Sequence, residues 1–592
     1  MATVADTTIL MADFETRAGE LAEQENKTWV WGWTCCNIFD IENVFSGSSI
    51  NSFFAFLRKC GDCICYFHNL KFDGKFILDY LLKNDYVWCA DRKEFKAHNK
   101  KGFMTLIDDS GVFYSITIHN GYRMKVEFRD SMKKLPFSVD VIAKSFKTKY
   151  KKLSLDYVLD RPVGYTPDPE ELEYMKNDVR IVAEVLQFLY NGGFDKMTIG
   201  SDALTHYKDI NPSQFKHFFP QLTKEEDSFI RKAYRGGWCY VNPKYSARVL
   251  HELGNTYDVN SLYPSMMSST PYEMHGKMTV NRYPCFTGIY YKGEYTADET
   301  YPLYVCHIRA GFVVKDGYLP TIQLKNNFMF VANEYITDSN GVQELYLTSV
   351  DYELFCEHYE IYSIEFIDGY KYGYCTGIFD SYINTFMEIK KKSKGAERSQ
   401  AKLMLNNLYG KFAQSVEVGS KSPLIEDGAN KVSYHFEPVQ ERKGVYIPVG
   451  CFVTAYSRRF TIYHAQQNYE KFCYADTDSI HLIGDATGLK VHPTDLCCWA
   501  WESQWNSAKF LRQKTYMEHV VKVDGEECEP HWDIKCAGMP QNVKDVFLDE
   551  IAKGTKVPDD FAVGLHYDNI KLRPVTVDGG VLLKTTPFEI RG

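Results

Sequence analysis

Carboxylates placed so that they must share space are the residues here that could do chemistry. In TILMADFET, residues 8–16, a short apolar run suited to a buried strand ends in acid. Side chains alternate along a strand, so Asp13 and Glu15 face the same way. Two like charges on one face repel unless a cation lies between them, which makes the pair a ligand set for a divalent ion. Asp-x-Glu also occurs at Asp40 and Asp351 without such a setting, so the pattern needs support. Part of it comes from YFHNLKFDGKF, where Asp73 follows Tyr66, His68, Asn69 and Phe72, residues that offer stacking faces and hydrogen bonds to a single strand or else fill an ordinary core. More comes from TPDPEELEYMKNDVRIVAEVLQFL, which predicts a helix capped by Asp168 with Pro169 at its first position. On it Tyr174 and Asp178 are four apart and share a face.

A second acidic set lies further on. GNTYDVNSLYPSMM ends an apolar approach at Asp258, and FCYADTDSIHLIG places Asp476 and Asp478 between two apolar runs, as a hairpin turn would. Between them RSQAKLMLNNLYGKF predicts a helix whose Arg398, Lys402, Asn406 and Tyr409 share one face while Leu403, Met404 and Leu408 lie elsewhere. That face is either plain solvated surface or a surface for a nucleoside triphosphate.

These residues need several folded units to carry them. At ~150 residues per domain, the 592 residues allow roughly four. No run approaches the ~18 apolar residues of a spanning helix, and no basic-then-apolar leader opens the chain, so no membrane and a cytoplasmic setting are expected. Seventeen cysteines without a framework spacing read as reduced thiols. Cys60 and Cys63 form a CxxC that lacks a second ligand pair, and a structural place is expected for them rather than zinc. The net charge of −9 argues against a polyanionic partner only on average. Locally, Lys144, Lys147, Lys149, Lys151 and Lys152 alternate with Phe146 and Tyr150, and Lys390, Lys391, Lys392, Lys394, Arg398 and Lys402 crowd another segment. Such runs are also common as solvated faces.

Taken together, the four N-terminal acids with their tyrosine resemble the DnaQ-like 3′→5′ exonucleases. YDVNSLYPS, KLMLNNLYG and YADTDS resemble motifs A, B and C of family B DNA polymerases. More narrowly, the chain is similar to the protein-primed polymerases of small linear-genome phages, through MADFET, HNLKFD, YRGG (Tyr234, Gly236 and Gly237 among its residues) and LRQKTY. Two segments, one containing YLPTIQLKNN, resemble insertions specific to that subfamily. The resemblance implies a multidomain α/β chain: an RNase H-like exonuclease over 1–198, palm over 199–269, a first insertion over 270–378, fingers over 379–413, a second insertion over 414–446, palm over 447–543 and thumb over 544–592.

It also implies roles. Asp258 and Asp478, with the Val259 carbonyl, would hold two Mg²⁺ ions, Mn²⁺ being a substitute, and Asp476 ranks third. Lys390, Arg398, Lys402 and Asn406 would face the incoming deoxynucleotide, Tyr263 its sugar and Tyr409 the nascent base pair. Asp13, Glu15, Asp73 and Asp178 would hold two more cations, with Tyr174 orienting water and Lys152 assisting. Tyr66, His68, Asn69, Phe72, Ser131 and Phe137 would bind the frayed strand. Arg512, Lys514 and Tyr516 would steady the primer, and Thr454 with Arg458 the template or primer backbone. The implied partners are template-primer DNA, single-stranded DNA and a terminal protein, the chain being a monomer or a heterodimer with it. Met132, Ser457, Ala475 and Arg398 depart from the expected pattern. Three other readings compete: an RNA-primed family B enzyme, a DNA-binding factor with inert folds, and a nuclease alone.

Overall fold

The alternation in TILMADFET divides two cores. The computed structural model, which describes residues 7–98, 100–119, 125–156, 159–210, 212–323, 335–561 and 564–590, forms the strand Thr8–Thr16 there. Ile9 and Met11 join the core under the helix Pro169–Asn191, while Leu10, Ala12 and Phe14 pack with the helices Ile50–Cys60 and Leu70–Lys83 on the opposite face. Eight strands make this N-terminal sheet. Thr8–Thr16 lies near its middle, antiparallel to Val30–Asn37 and parallel to Cys63–Phe67. The long helix begins as expected: Asp168 accepts from the Glu171 amide, Glu171 returns the bond, and Pro169 occupies the first position. All seventeen cysteines are free, and Cys60 and Cys63 pack in the N-terminal core.

A second, antiparallel sheet carries the other acids. Its middle strand Gly254–Val259 lies between Ser479–Ile483 and Trp499–Arg512, and Phe472–Asp476 flanks Ser479–Ile483. The hairpin expected at the Asp-x-Asp is present, turning at Thr477 with φ +64°. Behind the sheet the helix Ile447–Gln467 is buried along nearly its whole length. The helices Asp380–Lys392 and Ala396–Phe412 pack together, and the second exposes Arg398, Lys402 and Asn406 while burying Leu403, Met404 and Leu408.

The remaining segments fold as separate small units. Between residues 283 and 375 a four-stranded sheet forms with the helix Ser349–His358. Leu324 to Asn327, the end of the YLPTIQLKNN segment, lie outside the described residues. The hairpin Glu417–Ile425 and Val432–Glu441 leans on the N-terminal unit, with Asp109 N donating to Gly419 O at 3.1 Å and Val432 joining that unit's core. A second hairpin, His566–Val577 and Gly580–Glu589, also reaches the N-terminal unit. At its tip Thr28 N donates to Asp578 O (3.0 Å) and Lys83 Nζ meets Asp578 Oδ1 (2.6 Å). Gly579 there has φ +87°, and a Cβ on it would lie 2.0 Å from Thr28 O, so only glycine fits. Among the described residues no helix is long and apolar enough to cross a membrane.

Candidate active sites

In the N-terminal unit the strand, two helices and one extended segment bring the expected acids together. Asp13 and Glu15 share the strand face turned to the long helix, which presents Asp178, and Asp73 sits in the first turn of Leu70–Lys83. Glu15, Asp73 and Asp178 are buried. Burial and the mutual repulsion of these groups raise Asp13, Glu15 and Asp73 far above the ordinary carboxylate range, and burial raises Asp178 against the pull of Lys152. Lys152 Nζ donates to Tyr174 Oη at 2.6 Å and pairs with Asp178. One oxygen each of Asp73 and Asp178 is buried without a hydrogen-bond partner among the described residues. Crowded, partly unsatisfied acids of this kind fit divalent cations, which would supply the missing positive charge. No group of three or more His, Cys, Asp or Glu among the described residues forms a ready-made metal cage. Metal sites completed by substrate phosphate and water need no such cage.

The expected strand-binding residues divide in two. Asn69 is exposed, and His68, Phe72 and Phe137 are part-exposed on one side of the acids. His68 Nε2 donates to Phe137 O at 2.7 Å and its Nδ1 pairs with the Ser131 hydroxyl at 2.9 Å. Tyr66 and Ser131 do not reach that surface. Tyr66 is core, its hydroxyl 2.9 Å from that of Tyr190, and Ser131 is spent on His68 and Phe67 O. As placed, these two support that surface from behind. Asp130, which the sequence did not single out, accepts from the Asn69, Leu70 and Met132 amides and so shapes both loops.

In the second sheet Asp258 and the turn carrying Asp478 lie on adjacent strands, and Val259 N donates to Asp478 O at 2.7 Å. Burial and the neighbouring Asp478 push Asp258 well above the usual carboxylate range, and burial pushes Asp478 up less far. Glu502 adds to both effects. It is the extra residue of a β-bulge opposite Thr256 and Tyr257, which turns a side chain of an otherwise regular strand toward the acids. Nothing in its neighbourhood of sequence signals this. Asp476 is committed elsewhere: Lys514 Nζ meets its Oδ1 at 2.6 Å and Cys239 Sγ donates to the same oxygen at 3.0 Å.

Cations line the opposite wall. Lys390 Nζ donates to Ser261 Oγ at 2.8 Å, and burial together with Lys402 and Arg398 lowers its ammonium to about 8. Arg398 Nη1 also donates to Lys390 O, holding the two helices in register. The Tyr263 and Tyr409 rings stack with centroids 4.0 Å apart. Gly237 packs on the acidic turn, where a Cβ would strike Thr477 at 2.5 Å. Tyr516 is buried beside Tyr474, with Arg512 and Lys514 nearer solvent.

Thr454 and Arg458 are not surface contacts. Thr454 is fully buried and donates within its own helix, to Gly450 O and Cys451 O. Arg458, 4% exposed, donates to both Asp351 oxygens at 2.7 and 2.8 Å and to the carbonyls of Arg235 and Gly236 at 2.9 and 2.7 Å. Arg458 thus braces the YRGG loop from behind. Asp351, an Asp-x-Glu without an obvious setting in the sequence, is the counter-charge. Of the pattern departures, Ser457 is buried with its hydroxyl donated to Val453 O, and Ala475 is buried in the sheet. Of the two basic runs, Lys144 and Lys149 meet the surface acids Asp140 and Glu42, and Lys391 meets Asp495.

Comparison with known proteins agrees with this arrangement. The family model described as "DNA polymerase type B, organellar and viral" matches residues 61–163 and 159–484. The DNA polymerase of Bacillus phage Nf is 41% identical over 584 residues, covering 95% of this chain and 96% of its own. That of Bacillus phage phi29 is 39% identical over 600 residues, 98% of each. Solved structures of the phi29 enzyme with primer-template DNA and incoming nucleotide, and with single-stranded DNA, superpose with TM-scores of 0.88 and 0.87 at 37% identity, over 99% of this chain and 100% of theirs. Agreement over 95% or more of the length places the chain among the type B DNA polymerases, in their phi29-like phage branch.

Proposed function

We propose that this DNA polymerase is a phage replicase that extends primers by two-cation nucleotidyl transfer and proofreads at its N-terminal acidic site. It would begin from a terminal protein and displace the downstream strand processively on a linear genome, in the cytoplasm of a bacterial host. The observation that carries the catalytic reading is the junction of Asp258 and Asp478, two acids fastened side by side and both raised above the usual carboxylate range, by burial first and then by neighbouring acids. Two Mg²⁺ ions held there would supply the countercharge and activate the primer hydroxyl. The chain's own part is to orient: Lys390, Lys402 and Arg398 receive the triphosphate, and the stacked Tyr263 and Tyr409 wall the sugar and base. In the other site Lys152 holds the Tyr174 hydroxyl and Asp178 in place for an attacking water.

The boundaries offered are exonuclease 1–198, palm 199–269 and 447–543, fingers 379–413, thumb 544–592, and insertions 270–378 and 414–446. The complexes solved for the phi29 enzyme, with primer-template and with single-stranded DNA, support the same ligands here. Extension and degradation of a labelled primer with Mg²⁺, in wild type, Asp478→Ala and Asp13→Ala, test the two sites. Asp478→Ala should stop extension and spare degradation, and Asp13→Ala the reverse. Transfer of a nucleotide to a phage terminal protein tests the priming.

A further inference from the structure

Beside the acids of the second sheet runs a buried polar chain that the catalytic reading leaves unused. His481 is 1% exposed and Glu518 3%, and His481 Nδ1 lies 2.6 Å from Glu518 Oε1. Thr256 Oγ1 donates toward Glu518 at 3.2 and 3.4 Å, and Ser479 Oγ lies 3.3 Å from His481 Nε2. The strand register shows where this chain leads. Thr256 is directly across from His481, and Asp258 directly across from Ser479. Thr256 and Asp258 are two apart on one strand and so share a face, and Ser479 follows Asp478 at once. Both hydroxyls therefore flank Asp258, and the backbone of Ser479 continues directly into Asp478. Tyr474, Tyr516 and Phe510 enclose the imidazole, with ring centroids at 5.1, 5.1 and 5.6 Å.

Burying an acid and an imidazole costs desolvation that apolar packing would avoid, and such pairs seldom add net stability. A fully bonded buried network does enforce one geometry. We infer that Glu518 and His481 are positioning residues for nucleotidyl transfer. Glu518 fixes the imidazole, the imidazole fixes the Ser479 hydroxyl, and Thr256 ties both to the strand of Asp258. The two acids then keep one spacing when cations enter between them. This rests on the reading of Asp258 and Asp478 as the cation holders.

The experiment measures Mn²⁺ binding to the free protein by electron paramagnetic resonance, alongside primer extension as Mg²⁺ is varied. Glu518→Ala should weaken one class of Mn²⁺ site and raise the Mg²⁺ needed for half-maximal extension, each about tenfold, as loss of supporting bonds around metal ligands does. Primer-template affinity and 3′→5′ degradation should stay at wild-type values. Glu518→Gln, whose amide oxygen can still accept from Nδ1–H, should recover most of the loss. An unchanged Mg²⁺ requirement in Glu518→Ala, or an equal fall in extension, template affinity and degradation, overturns the inference. If Glu518→Ala does not fold, Ser479→Ala and Thr256→Val decide on the same readouts. Asp258→Ala is run in parallel, and unaltered Mn²⁺ binding there would instead sink the reading of the site beneath.

Discussion

The amide of Val259 donates to the carbonyl of Asp478 at 2.7 Å, so the strand that ends in Asp258 and the turn that carries Asp478 are fastened at the point where they diverge. Neither acid can move alone. Removing either carboxylate, as in Asp258→Ala or Asp478→Ala, should lower extension by roughly three orders of magnitude or more, the scale of losing a group that stabilises transition-state charge. Degradation of single strands should persist. Single-turnover extension and degradation assays check both halves.

In the N-terminal site Lys152 joins Tyr174 to Asp178. Lys152→Ala frees the tyrosine and leaves Asp178 without its cation, so degradation should fall about 10²-fold, a typical loss for a proton-handling or orienting group. Extension should be unaltered, and misincorporated ends should persist. Degradation that continues at the wild-type rate contradicts the role.

The crowded acids have a pH signature. Asp258 and Asp478 are raised above 3.8 in the folded, cation-free protein. The folded form then binds protons that the unfolded chain has already released, so stability falls as pH rises from near 4 through the folded values, about 6 and about 8, and levels off above. Cations reverse that cost. Mg²⁺ should therefore raise the melting temperature more at pH 8.5 than at pH 6, roughly, while Asp258→Asn should stabilise the cation-free protein at the higher pH by about 1 kcal/mol or more. Calorimetry with and without Mg²⁺ decides, and equal shifts at both pH values would refute the argument.

Arg458 depends on Asp351. Asp351→Ala buries an unpaired guanidinium and should cost about 3–5 kcal/mol, whereas adding Arg458→Met should recover most of it. Denaturant midpoints of the single and double variants measure the difference. Template affinity should remain low in the double variant, because the carbonyls of Arg235 and Gly236 lose their brace.

Much of the chemistry was legible in the sequence because local rules and function coincide there. Strand alternation put Asp13 and Glu15 on one face, a capped helix placed Tyr174 and Asp178 together, and an acidic turn between apolar runs located Asp478. What escaped depends on partners distant in the chain. Arg458 looks like a surface cation until Asp351, from the helix Ser349–His358 of the small four-stranded unit, meets it in the interior. Glu502 reaches its place through a bulge, and bulges leave no periodic mark. Tyr66 illustrates the converse: an aromatic among plausible binding residues lies in the core, its hydroxyl paired with that of Tyr190, and its sequence neighbourhood does not tell the two settings apart.

The clasp between Asp578 and the Thr28 and Lys83 region joins the C-terminal hairpin to the N-terminal unit. It is held by the Lys83–Asp578 ion pair, the Thr28–Asp578 backbone bond, Lys584 Nζ donating to Asn26 Oδ1 and Glu23 O, the apolar contact of Ala22, Val577 and Leu582, and Val581 set into the N-terminal core. On the processive reading proposed above, a hairpin from one end of the chain locked onto the unit at the other end is what would keep a template from leaving sideways. Gly579→Ala, which wedges a methyl against Thr28 O in a left-handed backbone costing roughly 1–2 kcal/mol, would loosen that junction. Dwell time on circular templates should shorten, while Gly538→Ala, equally left-handed but with open space around it, should not change it.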